Sequence, residues 1–201
     1  MSRTVVARAE QPGDVQELRK ATRARVDALG NAALYVAAGL LLSLIVHRAG
    51  WSPRVLLPMH LTVLLSGMTL SPLYAALVGI MTPAISTGLT GAPIAEQTLR
   101  MIPELTAYGA CAALVLRALR ANERIGVSRV LAMMVALVAA MIAGRIVYTL
   151  MSVITTGVQP VAYYVSVLLV PAVPGLIVQL LLVPILAYRS GRSDKTPSLR
   201  R

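Results

Sequence analysis

Along this chain, long apolar runs alternate with short polar or basic interruptions, and the runs have the length of membrane spans. A spanning helix needs about 20 predominantly apolar residues. Six stretches predict helices of that kind: Leu29–Val46, Val55–Leu70, Pro72–Gly88, Thr98–Leu119, Arg129–Thr156 and Val161–Tyr188. The breaks between them are His47-Arg48 with Gly50, Ser52 and Pro53, then Ser71–Pro72, and the loop Thr90–Ala95. The later breaks are the polar connector Ala121–Ser128, which carries Glu123 and Arg124, and the turn Gly157–Pro160. The second helix is short and weakened by Pro58 and Gly67. Pro83 is expected to bend the third, and Pro171 and Pro174 interrupt the sixth. From Pro53 to Pro93 the chain is nearly uncharged, with one histidine, His60, inside it. Breaks within such a stretch mark backbone that faces a cavity instead of lipid.

Composition agrees with the pattern. Hydrophobic residues make up 57% and charged residues 13% of the 201, against about 25% charged in soluble domains. The mean hydropathy is +0.73. The expected fold class is all-α: a polytopic membrane protein built as one six-transmembrane-helix bundle. Its parts are a basic amino-terminal segment (1–28), a membrane domain (29–188) and a basic tail (189–201). Within the first, Asp14–Ala28 is expected to be a surface helix running into the membrane. No cleavable signal peptide is evident in the polar first 28 residues.

Charge then sets the orientation. The net charge is +11, from 19 Lys and Arg against 8 Asp and Glu. These basic residues stand at the ends of apolar runs, where anionic membrane lipid holds them, and no soluble domain is left to carry a nucleic-acid groove. Arg19, Lys20, Arg23 and Arg25 precede the first helix. Arg117, Arg120, Arg124 and Arg129 lie between the fourth and fifth, and Arg189, Arg192, Lys195, Arg200 and Arg201 follow the sixth. Six spans put all three groups on one side, with both termini cytoplasmic. The other side then receives only Arg48, Arg54 and Arg100.

Catalytic chemistry finds no support. There is no phosphate-binding glycine–lysine loop, no His/Glu pair at metal-binding spacing, and no nucleophile with an evident base. The chain reads as a non-enzyme without cofactor or metal, and the single cysteine, Cys111, as a packing residue. What remains are ionisable groups within the spans. Each costs at least ~2.5–3.5 kcal/mol at a helix centre, so such groups face an interior or a cavity. Counted along the helices at about 1.5 Å per residue, His60, Glu104 and Arg145 fall roughly 7–17 Å below the outer boundary. Two readings stay open. Glu104 and Arg145 pair as a brace between the fourth and fifth helices, or they line an outward-opening pocket for a polar solute. Tyr108 shares a helix face with Glu104, and Tyr148 with Arg145, so both are candidate pocket walls or ordinary packed tyrosines. Ser86 and Thr87 either offer hydroxyls to the solute or cap backbone before the external loop. Gln179 reads as an interhelical hydrogen bond. Small residues recur one turn apart at Ala33 and Ala37 and at Ala75 and Gly79, a spacing that packs helices within one bundle or docks them onto another subunit.

The text LLPMHLTVLLSGMTLSPLYAALVGIMTPAISTGLTG, with MIPELTAYGACAALVLRAL, AAMIAGRIVYTL and VPGLIVQLLLVPIL, covers most of Leu56–Leu186. It resembles the substrate-binding S components of energy-coupling factor (ECF) transporters, which import vitamins and related micronutrients into prokaryotes. The resemblance implies a multi-pass protein of a prokaryotic cell membrane whose outward site takes a small-molecule substrate. It implies partners as well: a transmembrane coupling subunit, which Ala33 and Ala37 would contact, and a pair of ABC-type ATPases. The chain departs from expectation in having no Phe and one Trp, so ring stacking would fall to Trp51 or tyrosines and a flavin-like ligand is disfavoured. Two other classes remain: a self-sufficient secondary transporter or channel, although no internal repeat is visible, and a structural membrane subunit.

Overall fold

The computed structural model describes residues 12–50, 57–121 and 128–193. Trp51, Arg54, Glu123, Arg124 and the end of the basic tail lie outside the described residues. The chain folds as an all-α protein, and no strand occurs among the described residues. Helix α1 spans Pro12–Arg48, α2 Pro58–Thr69, α3 Pro72–Thr90, α4 Ala95–Ala121 and α5 Arg129–Thr156. The last rod is composite. A single turn, α6 (Val161–Tyr163), leads into a π segment (Tyr164–Leu169), a 3-10 turn (Val170–Ala172) and then α7 (Val173–Ser193). Five helical stretches are long and apolar enough to cross a membrane. They are Val15–Arg48, Pro72–Thr90, Ala95–Arg120, Arg129–Thr156 and Val161–Arg189.

Helix α2 departs from the expected span. Its 12 residues rise only ~18 Å, short of a ~30 Å hydrocarbon core. It is instead the most interior element: Pro58, Met59, His60, Thr62, Val63, Leu64, Ser66, Gly67 and Met68 are all buried. Its amino end is shaped by Leu57, which holds a left-handed conformation (φ 48°, ψ 52°). For a residue with a Cβ this costs roughly 1–2 kcal/mol, so neighbours must hold it. Gln179 of α7 donates from Nε2 to the Leu57 carbonyl at 3.4 Å. That is the interhelical bond its sequence position predicts.

Glycines set the spacing of the central helices. A Cβ on Gly79 of α3 would meet the Leu105 carbonyl of α4 at 2.5 Å, and one on Gly67 of α2 would meet the Ala112 methyl at 2.7 Å. Gly109 presses against the Ala75 backbone in the same way. The pair Ala75 and Gly79 therefore packs inside the bundle. Pro83 has no N–H for the Gly79 carbonyl one turn earlier, which leaves that carbonyl out of the helix ladder beside this contact.

Helix α1 is attached along a narrow seam. Ala32, Gly39 and Val46, seven residues apart, are its buried positions. Gly39 admits Thr62 and Thr82 from α2 and α3. Ala33 and Ala37 are exposed on its flank, and only 17% of its most apolar stretch is buried.

Candidate functional site

Three helices bring their ionisable groups to one point. His60 lies in the first turn of α2, Glu104 in α4 and Arg145 in α5. Glu104 Oε1 is 3.3 Å from an Arg145 guanidinium nitrogen, and Glu104 Oε2 is 3.4 Å from His60 Nε2. The carboxylate side chain is 1% exposed, the imidazole 3% and the guanidinium 16%. The acid is thus the hub, with one oxygen turned to each nitrogen base. Tyr108, one turn after Glu104, stands edge-on to the His60 ring at 5.3 Å and 75°. Tyr148, three residues after Arg145, lies under its guanidinium at 5.9 Å.

The hydrogen bonding of this cluster is incomplete. Both ring nitrogens of His60, Glu104 Oε1, the Tyr108 hydroxyl, and Nε and a terminal nitrogen of Arg145 are buried without an aligned hydrogen bond. Buried polar groups are satisfied in about nine cases of ten, and each one left unmade costs ~1–3 kcal/mol. Among these atoms the arginine nitrogens can only donate. The unmet groups are therefore richer in donors than in acceptors, a set that suits a polar solute carrying acceptor oxygens. No group of three metal-binding side chains occurs among the described residues.

Local sequence explains the placement. Pro103 immediately precedes Glu104 and frees the Leu99 carbonyl from the helix ladder. Gly144 immediately precedes Arg145, and a Cβ there would lie 2.7 Å from Tyr108 Cε2. The missing side chain lets the Tyr108 ring lie flat against α5. Sequence reasoning did not single out Gly144; the signal was its position beside an arginine within a predicted span.

Ser86 is placed elsewhere. Its hydroxyl donates to the Ala92 carbonyl at 2.7 Å, and Thr87 donates to the Pro93 carbonyl at 3.1 Å and meets the Thr98 hydroxyl at 2.6 Å. These residues cap and staple the loop between α3 and α4, and no hydrogen bond joins Ser86 to the cluster. The backbone-capping reading of Ser86 and Thr87 is the one their bonds follow. At that same end Arg100 pairs with Glu96 at 2.7 Å.

Scans against protein-family models, curated proteins and solved structures each return no match to this chain.

Proposed function

We propose that this chain is the solute-binding membrane subunit of an ATP-driven importer of the ECF type. In that reading it has six spans, with α2 as the short inner one, and both termini are cytoplasmic in a prokaryotic cell membrane. Its cargo is a vitamin or another small micronutrient. The observation that carries the reading is the buried His60–Glu104–Arg145 cluster with unmet donors, built on helices whose prolines and glycines fall beside it. Intramembrane charges gathered at one interior point mark solute or ion paths more often than scaffolding. Glu104 and Arg145 fix polar groups of the cargo, while Tyr108, Tyr148 and His60 wall it. Energy comes from a coupling subunit and paired ATPases, and the exposed Ala33 and Ala37 flank of α1 offers the small-residue surface for docking.

The test is mass spectrometry of small molecules retained by the purified chain, followed by titration of the retained compound against Glu104→Gln and Arg145→Ala. The expected result is at least a hundredfold weaker binding by variants that elute as folded protein, since each substitution breaks a desolvated charged contact. Unchanged binding by folded variants rejects the assignment.

The direct 3.3 Å contact of Glu104 with Arg145 favours a second reading, a brace in a structural subunit. The charge-swapped pair Glu104→Arg with Arg145→Glu separates the two. A brace recovers its stability with the charges exchanged, whereas a binding site does not recover its ligand.

A further inference from the structure

A second polar site lies at the other end of the bundle. A partly open cleft of about 640 Å³ is walled by α1, by the carboxyl end of α2, by the α4 and α5 ends that carry Arg120 and Arg129, and by α7. That volume falls in the ~300–1,000 Å³ range of small-molecule sites and exceeds what a bare ion needs. Arg120 and Arg129 lie close enough for their charges to act on one another. Neither has a carboxylate partner among the described residues: the acids that do pair are Glu17, Glu96 and Glu104, with other bases. Asp27, one turn before Asn31 on α1, is exposed and pairs with neither arginine. Instead, Arg129 sits over the Tyr188 ring at 5.6 Å. The remaining polar wall supplies neutral hydrogen-bonding groups. Asn31 faces the cavity, and the Thr69 and Tyr35 hydroxyls lie 2.9 Å apart along its wall.

Two guanidinium groups with no carboxylate partner among the described residues, an amide and a pair of hydroxyls around one hollow match a multi-oxygen anion, and planar guanidinium groups suit phosphate in particular. Leu34 and Ala38 form an apolar wall beside them, as an anion attached to a hydrocarbon tail requires. We propose that this cavity binds an organic phosphate at the basic end of the bundle, carried either by an anionic glycerophospholipid or by a soluble phosphate ester. The site does not depend on the solute-binding reading of the His60 cluster, because it shares no residue with it.

The test uses the full chain in detergent and native mass spectrometry, with phosphatidylglycerol, phosphatidylcholine and glycerol 3-phosphate added in parallel. Phosphatidylglycerol or glycerol 3-phosphate is expected to be retained over phosphatidylcholine, and which of the two is held identifies the source. Arg120→Gln and Arg129→Gln should each weaken that retention about fivefold, and together about thirtyfold. Both side chains are exposed, so the fold should persist, as a thermal melt would verify. Arg25→Gln, an exposed arginine away from the cavity, should change nothing. Equal retention by the double variant overturns the proposal, and so does an equal loss with Arg25→Gln, which would mean diffuse surface charge. Failure of the chain to retain either anion also overturns it.

Discussion

At the scale of single residues, the chain's most consequential choice is what it leaves out. Gly144 has no side chain where any Cβ would collide with the Tyr108 ring. Gly144→Ala should therefore destabilise the protein by about 1–3 kcal/mol, the usual cost of overpacking, read as a lowered melting temperature in detergent. Gly30→Ala on α1, where nothing lies within 4 Å, should be neutral or slightly stabilising, because alanine favours the helix. Glu104→Ala should cost more, about 3–5 kcal/mol, because it leaves the Arg145 charge buried without its counterion. Removing both charges together should recover much of that loss. The same thermal measurement orders all of these variants.

Individual positions were unequally legible. Counting residues along each helix gave His60, Glu104 and Arg145 a common depth, because helical rise converts sequence distance into depth. The count does not contain rotation about the helix axis, so it could not say that Glu104 turns one oxygen to each base. Ser86 entered the candidate set because it stands just before the outer loop. Its hydroxyl is instead held by Ala92, a carbonyl six residues away, and only the path of the loop reveals that.

At the scale of elements, apolar run length was the strongest signal. Helix α5 keeps the bounds Arg129–Thr156 read from sequence, with Ser128 as its cap and Gly157 closing it at φ 76°. Helix α2 was read less completely: the sequence places a short, weakened helix at Val55–Leu70, and the helix runs Pro58–Thr69 and is buried inside the bundle. Its start depends on Leu57 and on Gln179, which are far apart in the chain and meet only when α7 docks. Helices α3 and α4 approach each other backbone to backbone at Gly79 and Gly109. Gly79→Leu should force those backbones apart and leave little monodisperse protein on size-exclusion chromatography. Gly88→Leu in the same helix has nothing within 4 Å, and should elute normally.

At the scale of the whole molecule, the basic residues and the fold tell a consistent story. Asn31, midway along α1, lines the same cavity as Arg120 and Arg129, so the middle of α1, the end of α4 and the start of α5 meet at one end of the bundle. Such a bundle, inserted in a membrane, should expose Val15 and Ser128 to one side and Thr90 to the other. Cysteines at these positions, in a Cys111→Ser background, should react with a membrane-impermeant maleimide accordingly. Labelling of Val15→Cys and Ser128→Cys from opposite sides would contradict the six-span topology. All-α membrane architecture was readable from hydropathy because lipid demands internally satisfied backbone. The arrangement of helices around α2 was not, because burial inside the bundle and burial in lipid select the same apolar residues.

The length of α1 has a mechanical consequence. Its 37 residues extend about 55 Å, nearly twice the thickness of the oily layer they traverse. The surplus is an arm beyond the part of α1 that meets the bundle through Ala32, Gly39 and Val46, with Tyr35 and Val36 packed beside them. Any tilt of that arm displaces Asn31, Leu34, Tyr35 and Ala38, the α1 residues that line the arginine-bearing hollow.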